Sequence, residues 1–160
     1  MSTQQRGRQA RRWALGVLLA VGAVGCTPAY QIETPKRFRR FQQSSDFRWI
    51  TPEGVVLRGR EVENEPRATL AFWSEATQHH LERRGYKLQT KRAFRTAEGL
   101  DGERLDFLVP RGGEDWLFSV GLIVREARIY MLEAGGPWAQ MHPLDAELQG
   151  VFTSFRPDPR

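Results

Sequence analysis

The chain has 160 residues, with 24 basic and 19 acidic side chains and a single cysteine, and an isoelectric point near 10.0. Most of the excess charge is local: residues 1–25 hold four arginines and no acid, and without that stretch 20 basic side chains face 19 acidic ones. Nucleic-acid binding is thereby excluded from the leading readings, because its footprint is a basic face on the folded part, and one cysteine excludes an intrachain disulfide.

Chain order begins with Arg6, Arg8, Arg11 and Arg12, followed by an apolar run from Trp13 to Val24 that leads into Gly25-Cys26. A basic n-region, a short apolar h-region and small residues at the cut are the layout of a secretory signal. The run falls short of the roughly 20 apolar residues that span a bilayer, and Thr27-Pro28 stop it. With Ala23-Val24-Gly25 ahead of the sole cysteine, residues 1–28 resemble a bacterial lipoprotein signal. The resemblance implies cleavage between Gly25 and Cys26, a diacylglycerol on the Cys26 thiol, and acylation of the new amino terminus. Ala23 stands where that family prefers leucine, whereas Val24 and Gly25 fit it. Ala10 and Ala14 fit poorly around Arg11-Arg12 as a twin-arginine signal, so the general secretory route is expected. One acyl chain holds a protein only marginally at about 0.8 kcal/mol per buried CH₂; the three that the family carries make the membrane anchor permanent. Thr27, where an aspartate would suggest retention in the inner membrane, favours a periplasm-facing position on the outer membrane of a two-membrane cell.

Residues 26–46 contain two Thr-Pro pairs and Gln-Gln-Ser-Ser, which predicts an irregular, lipidated tether. Lys36, Arg37, Arg39 and Arg40 flank Phe38 and Phe41 within it. Two readings stand for this run. It is a contact with an anionic membrane surface, where each such charge adds about 1 kcal/mol, or it is a solvated linker.

Residues 47–156 are expected to form one α+β domain, leaving 157–160 as a tail. Residues 47–50 and 55–62 read as a hairpin across the turn Pro52-Glu53-Gly54. A helix is predicted over 64–85, with Pro66 near its start, Leu70, Trp73, Thr77, His80, Leu81 and Arg84 at helical spacing, and Gly85 at its end. Four strands follow over 86–94, 103–109, 115–124 and 128–134. The short links at 110–113 and 125–127 leave no room for crossover helices, so the sheet is antiparallel. A last helix opens at Pro143 with Leu144, Leu148, Val151, Phe152 and Phe155 on one face. About six strands covered by two main helices result.

In this order, with Ala134-Gly135-Gly136-Pro137 after the strands and Ser154-Phe155-Arg156 after the last helix, residues 47–156 are similar to the PsbP-like α/β/α sandwich. The resemblance implies an assembly factor, chaperone or accessory binding module without a shared enzymatic chemistry, and it transfers no site residues.

The residues themselves carry little catalytic signal. His79 and His80 are adjacent, so on a helix they point about 100° apart and cannot share a metal as an i, i+4 pair does. His80 lies on the apolar stripe and is expected to pack in the core, with His79 facing solvent. Neither Ser119 nor Ser154 sits in a nucleophile turn. Glu103 with Asp115 or Glu133 is the carboxylate combination that a glycosidase would need. Trp49, Trp73, Trp116 and Trp138 suit core packing, and Trp138, placed on a loop after Gly135-Gly136-Pro137, is the candidate partner contact.

The sequence therefore reads as a non-catalytic envelope lipoprotein, a binding or assembly module with no metal and no cofactor. Its partners are the membrane, through the lipid on Cys26, and an envelope protein or wall component. An envelope hydrolase with an unrecognised site and a structural spacer are the alternatives.

Overall fold

The structure, a computed structural model, describes residues 30–41 and 47–158. Gly25, Cys26 and the rest of the signal-like stretch lie outside the described residues. The strands are β1 (Tyr30–Gln31), β2 (Arg39–Arg40), β3 (Phe47–Ile50), β4 (Val56–Glu63), β5 (Lys87–Arg95), β6 (Asp101–Arg111), β7 (Glu114–Arg125), β8 (Arg128–Pro137) and β9 (Arg156–Pro157). The helices are α1 (Leu70–Glu82), α2 (Trp138–Met141) and α3 (Asp145–Thr153), with a 3₁₀ turn over His142–Leu144. Seven strands form one antiparallel sheet in the order β2-β3-β4-β8-β7-β6-β5, and β1 pairs with β9 beside it. The α+β class is as expected, with one more strand in the main sheet than the pattern predicted.

Strands β6, β7 and β8 run on without crossovers because each link is a two-residue turn. Arg111 pairs with Glu114 around Gly112-Gly113, and Arg125 pairs with Arg128 around Glu126-Ala127. Both glycines have positive φ, +60° and +84°, which matches the right-handed strand twist and would strain a side chain.

Alternation along the strands sends one set of side chains to each face. Toward α1 point Leu105, Phe107, Val120, Leu122 and Ile129, which meet Leu81. The larger core lies on the other face, where Leu57, Ile123, Tyr130 and Leu132 pack under Met141, Leu144, Leu148, Val151, Phe152 and Phe155. The apolar stripe of the last helix is buried as the spacing predicted. The helix itself starts at Asp145, because Pro143 and Leu144 belong to the 3₁₀ turn.

Three expectations are corrected. The first helix begins at Leu70, not near Asn64, because Asn64 organises a loop. Its side chain accepts from the Ala68 N–H at 3.0 Å and donates to the Ala68 and Glu126 carbonyls at 3.1 and 3.0 Å. Thr69 then caps the helix, accepting from the Phe72 N–H. Second, Gly135-Gly136-Pro137 continue β8 and Trp138 opens α2, so Trp138 is on a helix turn and not on a loop. Third, residues 30–41 are built into the fold. Tyr30 and Phe38 are buried in the larger core, and Arg39 and Arg40 pair with Ile50 and Trp49. Two aromatic side chains in a charged, Pro-containing stretch bury enough apolar surface to order it.

Candidate functional site

Helix α1 packs on β5, β6 and β7. Its stripe Trp73, Ala76, Thr77 and His80, with Arg84 just beyond its end, borders a groove over β8 and β4. This explains the position of His80. It is exposed, not packed in the core, because the helical stripe to which it belongs flanks an open groove; His79 faces solvent, 3.7 Å from Glu82.

Two lobes make the groove. The first, about 390 Å³, is lined by Trp73, Leu81, Val62, Leu122, Ile129 and Met131 among others. The second, about 480 Å³, lies against Arg48, Val56, Arg58, Val109, Arg111 and Trp116. Tyr86, Phe118 and Glu133 line both and form the saddle between them. The Tyr86 and Phe118 rings meet edge to face with centroids 5.7 Å apart. The floor of the second lobe follows from the register: Val56 pairs with Gly135, and Gly135 with Phe118. Gly135 contributes no side chain to that row, and the Phe118 ring leans over it, 3.3 Å from where a Cβ would sit.

The lobes differ in charge. Arg48 pairs directly with Arg58, and Arg58 with Glu133. Glu133, however, is engaged by Arg60, with Nη2 to Oε1 at 2.5 Å. The Arg111 guanidinium lies 4.8 Å from the Trp116 ring centre. Arg48 Nε is shielded from solvent and has no hydrogen-bond partner among the described residues. The second lobe thus carries three arginines to one carboxylate beside aromatic surface, whereas in the first Arg60 and Arg84 are matched by Glu63 and Glu133.

The strongest polar cluster is on the opposite face. Arg104 is fully buried, its Nε donating to Asp106 Oδ1 at 2.8 Å and its Nη2 pairing with Asp145 Oδ1 at 2.7 Å. Arg92 Nη2 donates to Asp106 Oδ2 at 2.8 Å and to Asp145 Oδ1 at 2.9 Å. Ser119 and Thr90 donate to Asp106 at 2.5 and 2.7 Å. Burial would raise the Asp106 carboxyl, but the Ser119 bond, the Arg104 charge and the bonds from Thr90 and Arg92 hold it below the usual carboxylate range. Asp145 is held low by Arg92 first and, against its desolvation, by Arg104. Two arginines and two aspartates here compensate one another, and the cluster ties β5, β6 and β7 to the start of α3. It is an architectural knot rather than a substrate site.

The residues singled out in the sequence fall apart in space. Lys36, Arg37, Arg39 and Arg40 are exposed around the buried Phe38. Arg37 lies 3.7 Å from Glu147, and Arg39 donates to the Phe38 and Lys36 carbonyls. Charge on the edge strand β2 also discourages pairing with another sheet. Trp138 is 46% exposed, stacked on His142 at 4.6 Å. Trp73 and Trp116 line the groove, and Trp49 packs against the larger core. Ser119 is buried in the knot, and Ser154 Oγ accepts from the Glu33 N–H at 2.8 Å. Glu103 pairs with Lys91 at 3.5 Å, Asp115 is exposed beside the β6–β7 turn, and Glu133 is held by Arg60, so the three carboxylates do not form an acid–base pair in one cleft. Among the described residues no three His, Cys, Asp or Glu side chains are placed to hold a metal, and no helix is long and apolar enough to cross a membrane.

The groove arginines were missed from the sequence. Arg58 and Arg60 alternate along β4, which marks one face, but only the register places Arg48 of β3 beside them and shows that α1 leaves that face open.

No protein-family model and no curated protein sequence matches the chain. Solved structures do share its fold. The Mycobacterium tuberculosis protein LpqN, involved in cell envelope biogenesis, superposes with a TM-score of 0.63 at 10% identity, over 81% of this chain and 83% of LpqN. A Pseudomonas aeruginosa protein of unknown function, a putative regulator, gives 0.60 at 14% identity over 84% of this chain and 88% of its own. The cyanobacterial PsbP of Synechocystis gives 0.52 at 13% identity over 81% and 86%. At such identities the likeness shows the fold, and it is the PsbP-like α/β/α sandwich.

Proposed function

We propose that this chain is an envelope lipoprotein, anchored through lipid on Cys26, whose folded part is a non-catalytic binding or accessory module. The groove between α1 and the β4–β8 face carries the reading. It is concave, aromatic-floored and bordered by arginines, and it offers a place to hold a ligand or partner. The groove carboxylates are Glu63 and Glu133, and the latter is neutralised by Arg60. The anchor rests on the signal layout around Cys26, and Thr27 favours the outer membrane. An envelope setting agrees with the role of LpqN, a protein of the same fold. The four exposed basic residues of 36–40 would face the membrane surface near the anchor, and Trp138 is a second contact point.

Fractionation tests the anchor. The wild-type chain is expected in the membrane fraction with incorporated acyl label, and Cys26→Ser is expected to lose the label. Unchanged labelling of Cys26→Ser would overturn the anchor while leaving the groove reading intact.

A further inference from the structure

From the place where the chain enters the fold we infer that the layer of residues 30–40, α2 and α3 lies on the lipid headgroups of the anchoring bilayer, and that the groove opens away from it. The inference rests on the reading of Cys26 as the anchor and adds the direction in which the folded part is held. An occupant of the groove then arrives from the compartment, not from the bilayer.

Three observations support it. First, the anchor has little slack. Cys26 precedes Tyr30 by four residues, and an extended chain covers at most about 3.6 Å per residue, so the lipid is attached within about 14 Å of Tyr30. Tyr30 is fixed in turn: it is in register with Pro157 and lies on the α3 face, over Gly59 and against Phe155. The groove opens on the other face, with the sheet between it and the attachment point. Second, the same layer offers another interfacial contact far from the first. Trp138, 46% exposed, opens α2, whose Met141 is buried in the same core as Tyr30. Pro137, just before it, is seven residues along β8 from Tyr130, the neighbour of Tyr30, or about 23 Å in a strand. Tryptophan favours the boundary between headgroups and acyl chains, and two contacts so far apart lay the face down. Third, the outer side of α3 carries little net charge. Ala146 and Gly150 are exposed there, and Glu147 is paired with Arg37, whereas the exposed positions of α1 include Glu75, His79 and Glu82.

Fluorescence quenching on the acylated full chain tests this, in phosphatidylcholine nanodiscs with a nitroxide on part of the headgroups. Cys26 is the sole cysteine and its thiol carries the lipid, so a cysteine introduced elsewhere takes the dye alone. A dye at Gly150→Cys, in open space on α3, is expected to lose most of its emission. A dye at Phe72→Cys, 51% exposed on α1, is expected to keep it. A Gly-Ser insertion of ten residues after Pro28, combined with Trp138→Ser, is expected to bring the two dyes to the same emission. Circular dichroism establishes that each variant is folded. Equal quenching at both positions of the otherwise unaltered chain, stronger quenching at Phe72→Cys, or a contrast untouched by the insertion with Trp138→Ser would overturn the inference. An acyl label measured on the same preparation separates it from the anchor reading. A chain without label on Cys26 overturns both, whereas a labelled chain with the reverse contrast overturns the orientation alone.

Discussion

Tyr30 lies over Gly59 so closely that a Cβ on the glycine would sit 1.8 Å from its hydroxyl oxygen and 2.7 Å from its ring. The ring has no room to retreat, since it is 4% exposed, stacks on Phe155 at 5.6 Å and meets Tyr130 edge-on at 6.0 Å. This one contact fastens the segment before the main sheet to its central part, with β1 beside β9 completing the attachment.

Gly59→Ala is therefore expected to destabilise the chain by about 1–3 kcal/mol, the usual cost of overpacking, and to speed proteolysis within 30–41. Combined with Tyr30→Leu, it is expected to cost less than the two single changes added together, because they share a contact. Thermal melts of the four chains measure this, and strict additivity would show that Tyr30 does not occupy that position.

The buried knot makes a sharper demand. Asp106→Asn leaves Arg104, fully buried, with half of its compensation, and a loss of about 3–5 kcal/mol is expected on breaking such a pair. Adding Arg104→Met is expected to recover part of it. Denaturant titration decides, and a cost below about 1 kcal/mol, the worth of an exposed pair, would contradict the burial of the knot.

The same knot fixes the acid limb of stability. Asp106 and Asp145 have carboxyls held below their ordinary range. Their contribution is complete above the unfolded carboxylate value of about 3.9 and is lost as pH falls through the lower folded values. Stability is expected to drop below about pH 4, and less steeply in the Asp106→Asn chain. Parallel slopes for the two chains between pH 5 and 2 would contradict this origin.

Arg48 and Arg58 repel across the ladder, so Arg48→Gln is expected to raise the melting temperature of the unliganded chain, by an amount equivalent to about 0.5 kcal/mol. The gain is expected to fade as salt screens the pair. A lower melting temperature at every salt concentration would mean that the arginine serves the fold.

What the sequence revealed was whatever depends on short-range pattern. Leu148, Val151, Phe152 and Phe155 announced their face through helical spacing, and Gly112-Gly113 announced a hairpin. The groove stayed hidden because it depends on which strand neighbours which: nothing local to Arg58 says that it faces Arg48 on one side and Glu133 on the other. His80 was misplaced for a related reason. Helical periodicity identifies a shared stripe, but whether that stripe meets a core or an opening is decided by strands far along the chain. Tyr30 and Phe38 were lost among prolines and charges, since two aromatics without a period carry no signal until β9 and β3 are placed beside them. Arg104 and Asp106, two apart on β6, had the alternation of one face, yet a charged pair on a strand suggests solvent until α3 is laid over it.

If the groove is the working surface, photo-crosslinking in intact cells locates the contact there. A crosslinking residue at Val62, 37% exposed in the first lobe, is expected to form adducts that disappear when Ala76→Trp fills the lobe. The same residue at Phe72, 51% exposed on α1 and outside both lobes, is expected to form none. Adducts from Phe72 or Trp138 with none from Val62 would place the working surface outside the groove.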